Sequence, residues 1–345
     1  MKLAQAIIET KNLSIGYVSK EKRICVQKNL NLQLRKGEFC CLIGPNGVGK
    51  STLLRTLSRQ INLLDGEIFI QKMALNSISN PILATKLSLV LTEKIQIPNL
   101  KVRELVEMGR FPYSGFWGNL SPDDNQKVDE AIQLVGIQEL EQRNFDELSD
   151  GEKQKALIAK ALAQDAPLIL LDEPTAYLDF PSKMSILSAL RRIAHTKQIG
   201  IILSTHDLEL ALKMADLIWL VPANEKVQVG IPEDLVLNGS IGKTFSDEYL
   251  HFDMETAHFL HKAIARDFLN VEGNSMEMAW FRRALLRKGI AAETEIQMPY
   301  KVSFDEENKL FVVNHQSEPV GQFQEIHEVL SWIETILNIE SEHIR

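Results

Sequence analysis

Residues 44–52 read Gly-Pro-Asn-Gly-Val-Gly-Lys-Ser-Thr and match the phosphate-loop pattern G-x-x-x-x-G-K-[ST] at every fixed position. A mostly apolar run at residues 38–43 precedes them, and residues 51–60, which contain no glycine or proline, follow them. A strand before the loop and a helix after it form the setting in which this pattern binds phosphate. An ordinary glycine-rich turn would not need all the fixed positions, so a phosphate-binding loop is the better interpretation.

The residue types in this loop suit the phosphates of a nucleotide. Its glycines let the backbone curl with N–H groups pointing inward, and the following helix N-terminus adds partial positive charge. Lys50 supplies a charge for the β- and γ-phosphates, and the Ser51 hydroxyl can hold Mg²⁺. The residues predicted to bind the nucleotide are Gly44, Pro45, Asn46, Gly47, Val48, Gly49, Lys50, Ser51 and Thr52.

Two carboxylates follow the apolar run at residues 168–171. Ligands of parallel α/β sheets bind beyond the carboxyl ends of the strands, which is where Asp172 and Glu173 stand. Asp172 would hold Mg²⁺, and Glu173 would orient or deprotonate an attacking water. The alternative is a strand that simply ends in solvated acids, and the phosphate loop makes that alternative the weaker one.

Composition and length indicate a cytosolic protein of two domains. The chain has 345 residues, of which 45% are hydrophobic and 24% charged. No apolar stretch approaches the roughly 20 residues that span a bilayer, and the first nine residues do not resemble a signal peptide. Cys40 and Cys41 lie inside a predicted strand, which favours core packing in a reducing compartment.

The charges are unevenly distributed along the chain. Residues 241–345 contain 10 Lys+Arg and 18 Asp+Glu, whereas residues 1–240 contain 28 of each sign. We therefore expect a domain of residues 1–240 and a separate one of residues 241–345. An acidic second domain argues against nucleic acid as a partner, because phosphate backbones require clustered Lys and Arg.

The first domain is predicted to be α/β. Short apolar segments alternate with helical segments, which indicates a mainly parallel sheet with an antiparallel start. The predicted strands are residues 7–8, 13–15, 26–34, 38–43, 67–70, 87–91, 168–171, 199–204 and 217–221. The predicted helices are residues 51–60, 102–109, 122–136, 152–164, 181–195 and 208–215.

The last hundred residues predict a small α+β appendage of open role. Residues 256–269 and 276–288 read as helices, and residues 297–304 and 309–315 as a hairpin with its turn at 305–308. A final helix carries one apolar face, formed by Ile326, Val329, Leu330, Ile333, Ile336 and Leu337. His251, His258 and His261 have no cysteine partners, so a solvated or packed role is favoured over metal binding.

With these pieces assembled, the chain resembles the nucleotide-binding subunit of an ABC transporter over about two thirds of its length. The matching segments occur in the family's order: Tyr17, residues 44–52, the signature-like Leu-Ser-Asp-Gly-Glu at 148–152, residues 172–175, Tyr-Leu-Asp at 177–179, and His206. The resemblance implies an ABC-type P-loop NTPase cassette, with a mixed-sheet core, a helical subdomain and an antiparallel β part. It also raises His206, otherwise an ordinary strand-end histidine, to a candidate contact of the γ-phosphate and the attacking water.

The resemblance further implies a homodimer that hydrolyses ATP with Mg²⁺. Two copies would close head-to-tail around two ATP molecules, and hydrolysis would reopen them. Ser149 and Gly151 of one copy would contact the γ-phosphate held by the other copy's Lys50. Tyr17 would stack on adenine, and Asp179 would couple the two sites.

Three positions depart from the family pattern. Asp150 and Glu152 replace the usual Gly and Gln of the signature, and would repel a triphosphate unless they point away or pair with Lys153 or Lys155. Thr92 aligns with the usual Q-loop glutamine, where its hydroxyl, or the carboxylate of the next residue, could reach Mg²⁺. We therefore expect slow basal ATP hydrolysis that depends on a membrane partner.

Residues 99–124 resemble the corresponding region of ATPases from ferric-siderophore, haem and vitamin B12 importers. In those proteins this region contacts the permease. Phe111, Tyr113, Phe116 and Trp117 would form an aromatic interface anchor, unless they fold back on the core. The resemblance thus implies a separate integral-membrane permease, itself a dimer, an indirect substrate-binding protein, and a peripheral position on the cytoplasmic face of the plasma membrane.

Other ABC ATPases remain as alternatives at this point. One is a soluble ATPase without a permease, acting in cofactor assembly or in translation; translation members usually carry two cassettes per chain, and this chain has one. Another is a switch-like protein that binds ATP and hydrolyses it weakly, which the altered signature would suit. The aromatic segment favours the importer.

Overall fold

The computed structural model describes residues 5–18, 22–91, 98–114, 119–176, 178–223, 225–247, 250–254, 257–261, 267–293 and 299–343. The chain divides into two compact units: Met1–Ser246 with Phe252–His258, and Asp247–His251 with Phe259–Arg345. Within the described residues, no helix combines the length and the apolar character that a membrane span requires.

The elements of the first unit follow in chain order. Its first part contains β1 (Ala6–Val18), β2 (Arg23–Leu30), β3 (Gln33–Arg35), β4 (Phe39–Ile43), α1 (Lys50–Leu57), β5 (Asp65–Ile70), β6 (Met73–Ala74), α2 (Asn80–Ala84) and β7 (Leu87–Val90). Its second part contains α3 (Val102–Glu107), α4 (Pro122–Val135), α5 (Asp150–Ala163), β8 (Leu168–Asp172), α6 (Phe180–Lys197), β9 (Gly200–Ser204), α7 (Leu208–Met214), β10 (Leu217–Leu220), β11 (Gln228–Gly230), α8 (Pro232–Leu237) and α9 (Ser240–Phe245).

The central sheet of the first unit has the strand order β11-β10-β4-β9-β8-β7, and its pairs are parallel except for β10 with β11. Every residue of β4, β8 and β9 is buried, as expected for parallel strands covered on both faces. The thiols of Cys40 and Cys41 lie in this core, and burial raises the pKa of each. The parallel arrangement brings the carboxyl ends of β4, β8 and β9 to one edge of the sheet.

A second, antiparallel sheet has the order β2-β1-β5-β6, with β3 also paired to β1. The predicted α/β fold, with a mainly parallel sheet and an antiparallel start, is therefore confirmed. The helices α3, α4 and α5 pack against one another and form the helical part of the unit.

The elements after Phe245 are β12 (Leu250–Asp253), β13 (His258–His261), β14 (Asp267–Val271), α10 (Met276–Arg287), β15 (Ile290–Glu293), β16 (Tyr300–Asp305), β17 (Leu310–His315), β18 (Glu318–Phe323) and α11 (Ile326–His343). The strands of a sheet with the order β15-β14-β16-β17-β18 share a hydrophobic core with the helices α10 and α11. Phe281 and Leu285 from α10 meet Val329 and Ile333 from α11 there. The predicted hairpin and the last two predicted helices are confirmed, although the side chain of Leu337 lies outside the described residues.

The predicted helix at residues 256–269 is wrong, because its described residues include β13 and part of β14. Strand β14 pairs on both sides, with β15 and with β16, so sheet pairing overrides the local helical pattern. Its burial alternates with period two: Leu269 and Val271 are buried, whereas Phe268 is exposed. The strands β11, β15 and β18 were not predicted either.

Candidate functional site

The loop between β4 and α1 has the backbone shape that its glycines predict. Gly47 and Gly49 adopt φ values of 79° and 105°, which favour glycine. A Cβ atom on Gly49 would lie 2.4 Å from Val26 Cγ1, so no other residue fits without rearrangement. The Lys50 ammonium is buried and donates hydrogen bonds to the carbonyl oxygens of Gly44 (2.8 Å) and Pro45 (3.0 Å).

Asp172 is the centre of a hydrogen-bond network at the end of β8. Its Oδ1 atom accepts hydrogen bonds from Ser51 Oγ at 3.0 Å and from Ser204 Oγ at 2.7 Å. Ser204 Oγ also accepts a hydrogen bond from the Glu173 backbone N–H at 2.9 Å. Ser204 is fully buried and lies opposite Asp172 in the register of β8 and β9, so it joins the two strand ends. Sequence reasoning missed Ser204, whose signal was its place as the last residue of an apolar run.

Glu173 and His206 lie next to each other at the same edge of the sheet. The distance from His206 Nδ1 to Glu173 Oε2 is 3.6 Å. Glu173 has a φ of 46°, a left-handed conformation that costs a residue with a side chain on the order of 1 kcal/mol and that is concentrated at functional sites. Burial lowers the pKa of Lys50, while the charges of Glu173 and Asp172 act to raise it. The structure thus brings Lys50, Ser51, Asp172, Glu173 and His206 together.

Tyr17 reaches the same loop from β1. Its hydroxyl lies 2.8 Å from Thr52 Oγ1, and its ring remains about half exposed. Ile24 pairs directly opposite Tyr17 on β2 and is also exposed, so the two side chains offer an apolar surface beside the loop. Ile24 was not among the residues predicted from the sequence.

The signature-like segment forms the start of α5. Ser149 caps this helix: its Oγ accepts a hydrogen bond from the Glu152 backbone N–H at 3.3 Å. In return, Glu152 Oε2 accepts from both the N–H and the Oγ–H of Ser149, each at 2.8 Å. These bonds lower the pKa of the Glu152 carboxyl. No ion pair within 4 Å joins Glu152 to Lys153 or Lys155 in the described part of the chain.

Asp179 caps α6 by accepting a hydrogen bond from the Ser182 backbone N–H at 3.0 Å. Hydrogen bonding from the side chain and the backbone of Ser182 lowers the pKa of the Asp179 carboxyl. Ser182 Oγ also lies 3.7 Å from the position that a Cβ atom added to Gly151 would take. Ser182 therefore lies near both Gly151 and Asp179. Among the described residues, no hydrogen bond or ion pair joins Ser149 or Gly151 to Lys50.

A buried ion pair supports the predicted aromatic anchor. Arg110 Nε donates to Asp124 Oδ1 at 2.8 Å, and Arg110 Nη1 donates to the Ala163 carbonyl at 2.7 Å. The Arg110 guanidinium also stacks 4.0 Å from the ring centroid of Tyr113. Tyr113 and Phe111 are exposed, at 42% and 60%. This ion pair was not predicted.

Some predicted residues are not described: Thr92, Phe116, Trp117 and the Tyr at position 177 lie outside the described residues. His258 Nδ1 lies 3.8 Å from Glu209 Oε2. Within the described residues, no group of three or more His, Cys, Asp or Glu side chains is arranged to hold a metal ion.

The edge of the sheet thus carries a cation, a helix N-terminus, two carboxylates and a hydroxyl. The cation and the N–H groups of the loop suit phosphate oxygens. The oxygens of Ser51 and Asp172 form the kind of hard donor set that Mg²⁺ prefers, and they lie 3.0 Å apart. Glu173 stands beside them, and its carboxylate is of the residue type that serves as a general base. This arrangement is suited to hydrolysis of a nucleoside triphosphate.

Comparison with known families and proteins agrees with this geometry. Residues 27–176 match the family model described as ABC transporter, and residues 267–334 match the one described as iron ABC transporter C-terminal domain. An uncharacterized ABC transporter ATP-binding protein of Methanocaldococcus jannaschii is 33% identical over 253 residues, which cover 73% of this chain and 86% of that protein.

Two further relatives carry transport names. A petrobactin import ATP-binding protein of Bacillus anthracis is 37% identical over 233 residues, covering 67% of this chain and 84% of that protein. The ferric enterobactin transport ATP-binding protein of Escherichia coli is 32% identical over 231 residues, which cover 67% of this chain and 84% of that protein.

Solved structures show the same fold. A putative metal-chelate type ABC transporter in an inward-facing conformation matches with a TM-score of 0.60 and 25% identity, over 70% of this chain and 89% of that chain. A dimeric ATP-binding cassette bound to ADP and Pi matches with a TM-score of 0.57 and 28% identity, over 65% of this chain and 98% of that chain.

Proposed function

Because this chain belongs to the ABC transporter family of ATP-binding proteins, we propose that it is the ATPase that powers uptake of an iron chelate of the siderophore class through a separate permease. Two observations together support this proposal. The phosphate loop and the two carboxylates lie at the carboxyl ends of β4 and β8, beside β9, and relatives of the chain are named for petrobactin and ferric enterobactin transport. The match of residues 267–334 to an iron ABC transporter domain supports the same cargo.

ATP is bound at the loop between β4 and α1. Lys50 and the loop N–H groups hold its phosphates, and Tyr17 stacks on the adenine ring with Ile24 beside it. Ser51 and Asp172 would hold Mg²⁺, which would supply charge neutralisation for the phosphates. Thr92 is proposed as a further ligand.

Hydrolysis uses the two groups that lie 3.6 Å apart at the strand ends. Glu173 accepts a proton from a water whose oxygen attacks the γ-phosphorus, and the bond between that phosphorus and the β–γ bridging oxygen breaks. His206 orients the water and the γ-phosphate. Ser204 holds the Asp172 side chain and the Glu173 backbone in register, because it bonds to both.

Each complete site is shared between two copies of the chain. The cassette bound to ADP and Pi that shares this fold is a dimer, which supports a head-to-tail pair in which a second copy supplies Ser149 and Gly151 to the γ-phosphate. Asp179, which bonds to Ser182 near Gly151, links the two sites. A single copy therefore hydrolyses ATP slowly.

The permease docks on the surface around Phe111 and Tyr113, within residues 99–124. Two exposed aromatic side chains backed by a buried ion pair form a rigid anchor of the kind that protein interfaces favour. This docking keeps the ATPase at the cytoplasmic face of the plasma membrane. Residues 1–240 are proposed as the nucleotide-binding domain and residues 241–345 as a C-terminal α+β appendage.

Uptake of labelled ferric siderophore by cells that depend on this chain tests the proposal. Replacing Lys50→Ala or Glu173→Gln should abolish uptake, because neither variant turns over ATP. The double variant Phe111→Ala/Tyr113→Ala should keep ATP binding but lose both uptake and co-purification with a multi-span permease. Exposed Ile82→Ala serves as the matched surface control. Full uptake by the Lys50→Ala cells, or a purified wild-type chain that never brings down a membrane protein, contradicts the importer and favours a soluble ATPase.

A further inference from the structure

Ser149 and Glu152 form a closed pair at the start of α5. A serine hydroxyl has one proton to donate, and the structure commits it to Glu152 Oε2 at 2.8 Å. The backbone N–H of Ser149 is committed to the same oxygen at 2.8 Å. Both donors of the residue that would meet a phosphate are therefore occupied by a carboxylate of its own helix.

A phosphate oxygen only accepts hydrogen bonds. Ser149 can therefore donate its hydroxyl hydrogen bond to the γ-phosphate only after its bond to Glu152 is broken. That bond is charge-assisted and therefore stronger than a bond to a neutral amide. The hydrogen bonds from Ser149 also lower the pKa of the Glu152 carboxyl, which keeps it ionised at neutral pH. An ionised carboxylate beside an incoming triphosphate adds repulsion to the lost bond.

We infer that Glu152 is a positioning residue that holds Ser149 in a form unable to bind phosphate and so sets the threshold for ATP-driven closure of the dimer. The inference rests on the proposed function, because the phosphate that Ser149 meets is bound by the other copy. Closure requires Ser149 to exchange the Glu152 carboxylate for the γ-phosphate. The threshold is highest where the carboxylate is charged and unscreened.

Two substitutions separate the charge of Glu152 from its shape. Glu152→Gln keeps a hydrogen-bond acceptor, and Gln at this position also forms capping boxes. The substitution removes the negative charge and therefore weakens the hydrogen bond from the Ser149 hydroxyl. Glu152→Ala frees the hydroxyl completely and also removes the reciprocal cap, so it should unfold at a lower temperature. Glu139→Gln is the matched control, because Glu139 lines the same surface cleft as Glu152 and makes no bond to Ser149.

The experiment measures the monomer–dimer equilibrium of the full chain with ATP and Mg²⁺ by analytical ultracentrifugation, in a Glu173→Gln background that preserves the triphosphate. Glu152→Gln should tighten the dimer by about tenfold at low salt. This gain should shrink as the salt concentration rises, because salt screens the removed repulsion. Glu152→Ala should also dimerise more tightly than the parent, and Glu139→Gln should stay within about twofold.

Steady-state hydrolysis gives a second measurement. With Glu173 restored, Glu152→Gln should lower the KM for ATP more than it changes kcat, a split that mere loss of helix stability would not produce. A Glu152→Gln dimer as weak as the parent dimer, or weaker, overturns the inference while leaving the proposed function standing. A parent chain that never dimerises with ATP overturns the proposed function itself, and the inference with it.

Discussion

Ser204 shows how one buried hydroxyl can organise an active edge. It is fully buried, donates to Asp172 Oδ1 and accepts from the Glu173 N–H, so it fixes the positions of both carboxylate-bearing residues. Glu173 sits at a φ of 46° that its neighbours must impose, and the bond from its N–H to Ser204 is one such restraint. The Lys, Ser, Asp and Glu of the site could be predicted from residue types and spacing. Ser204 could not, because its role depends on the register between β8 and β9.

Replacing Ser204→Ala should impair both stability and hydrolysis. The change leaves the Glu173 N–H and one lone pair of Asp172 without their buried partner, which costs about 1–3 kcal/mol of unfolding free energy. The loosened carboxylates should also lower kcat more than they change ATP binding. Urea denaturation and ATP turnover measure the two effects. Ser77→Ala, which removes a single exposed bond to the Ala74 carbonyl, should alter neither, and an equal effect of both substitutions would contradict the assigned role.

At the scale of elements, the sequence predicts what a continuous apolar run or a helical period can reveal. The runs that became β4, β8 and β9 are buried along their whole length, so they are recognisable without a partner strand. Strand β14 is different: its identity depends on β15 and β16, which follow it in the chain. The contacts of Arg110 with Asp124 and Ala163, beside α3, α4 and α5, could likewise not be predicted, because these residues are separated in the sequence and meet only in the folded chain.

Replacing Arg110→Met should remove these contacts and destabilise the fold. It leaves the buried Asp124 carboxylate without its cation and the Ala163 carbonyl without its donor, which costs about 3–5 kcal/mol of unfolding free energy at pH 7. Urea denaturation should show this loss, whereas Lys213→Met, which breaks an exposed pair with Glu209, should change stability by less than about 1 kcal/mol.

The same pair predicts a pH dependence. Hydrogen bonds from Ser121 and then Arg110 lower the pKa of the Asp124 carboxyl from 3.8 to about 2. Since the folded-state pKa is the lower one, the stabilisation is fully present above about pH 4 and is lost as the pH falls towards 2. The stability difference between the wild type and Arg110→Met should therefore shrink over that range, and a difference independent of pH would contradict the pairing.

At the scale of the whole molecule, the question is which parts of a site belong to one chain. The first unit gathers the phosphate loop, the carboxylates and His206 at one edge of its central sheet, but it holds Ser149 in a local pair with Glu152. The second unit brings a net excess of acidic residues and an independent core. The charge shift along the sequence predicts a separate domain of residues 241–345, but a shift in composition carries no information on which of its residues form strands and which form helices.

Mixing two inactive variants tests whether the sites are shared. In a head-to-tail dimer, a Lys50→Ala chain paired with a Ser149→Ala chain forms one site with both substitutions and one with neither. An equimolar mixture should then recover up to about a quarter of the wild-type rate of phosphate release, because half of the dimers are mixed and each has one intact site. If Lys50 and Ser149 acted on the same ATP from one chain, every site in every dimer would carry one substitution, and mixing would restore nothing. Two portions of the same variant, mixed at the same total concentration, provide the control for any effect of concentration alone.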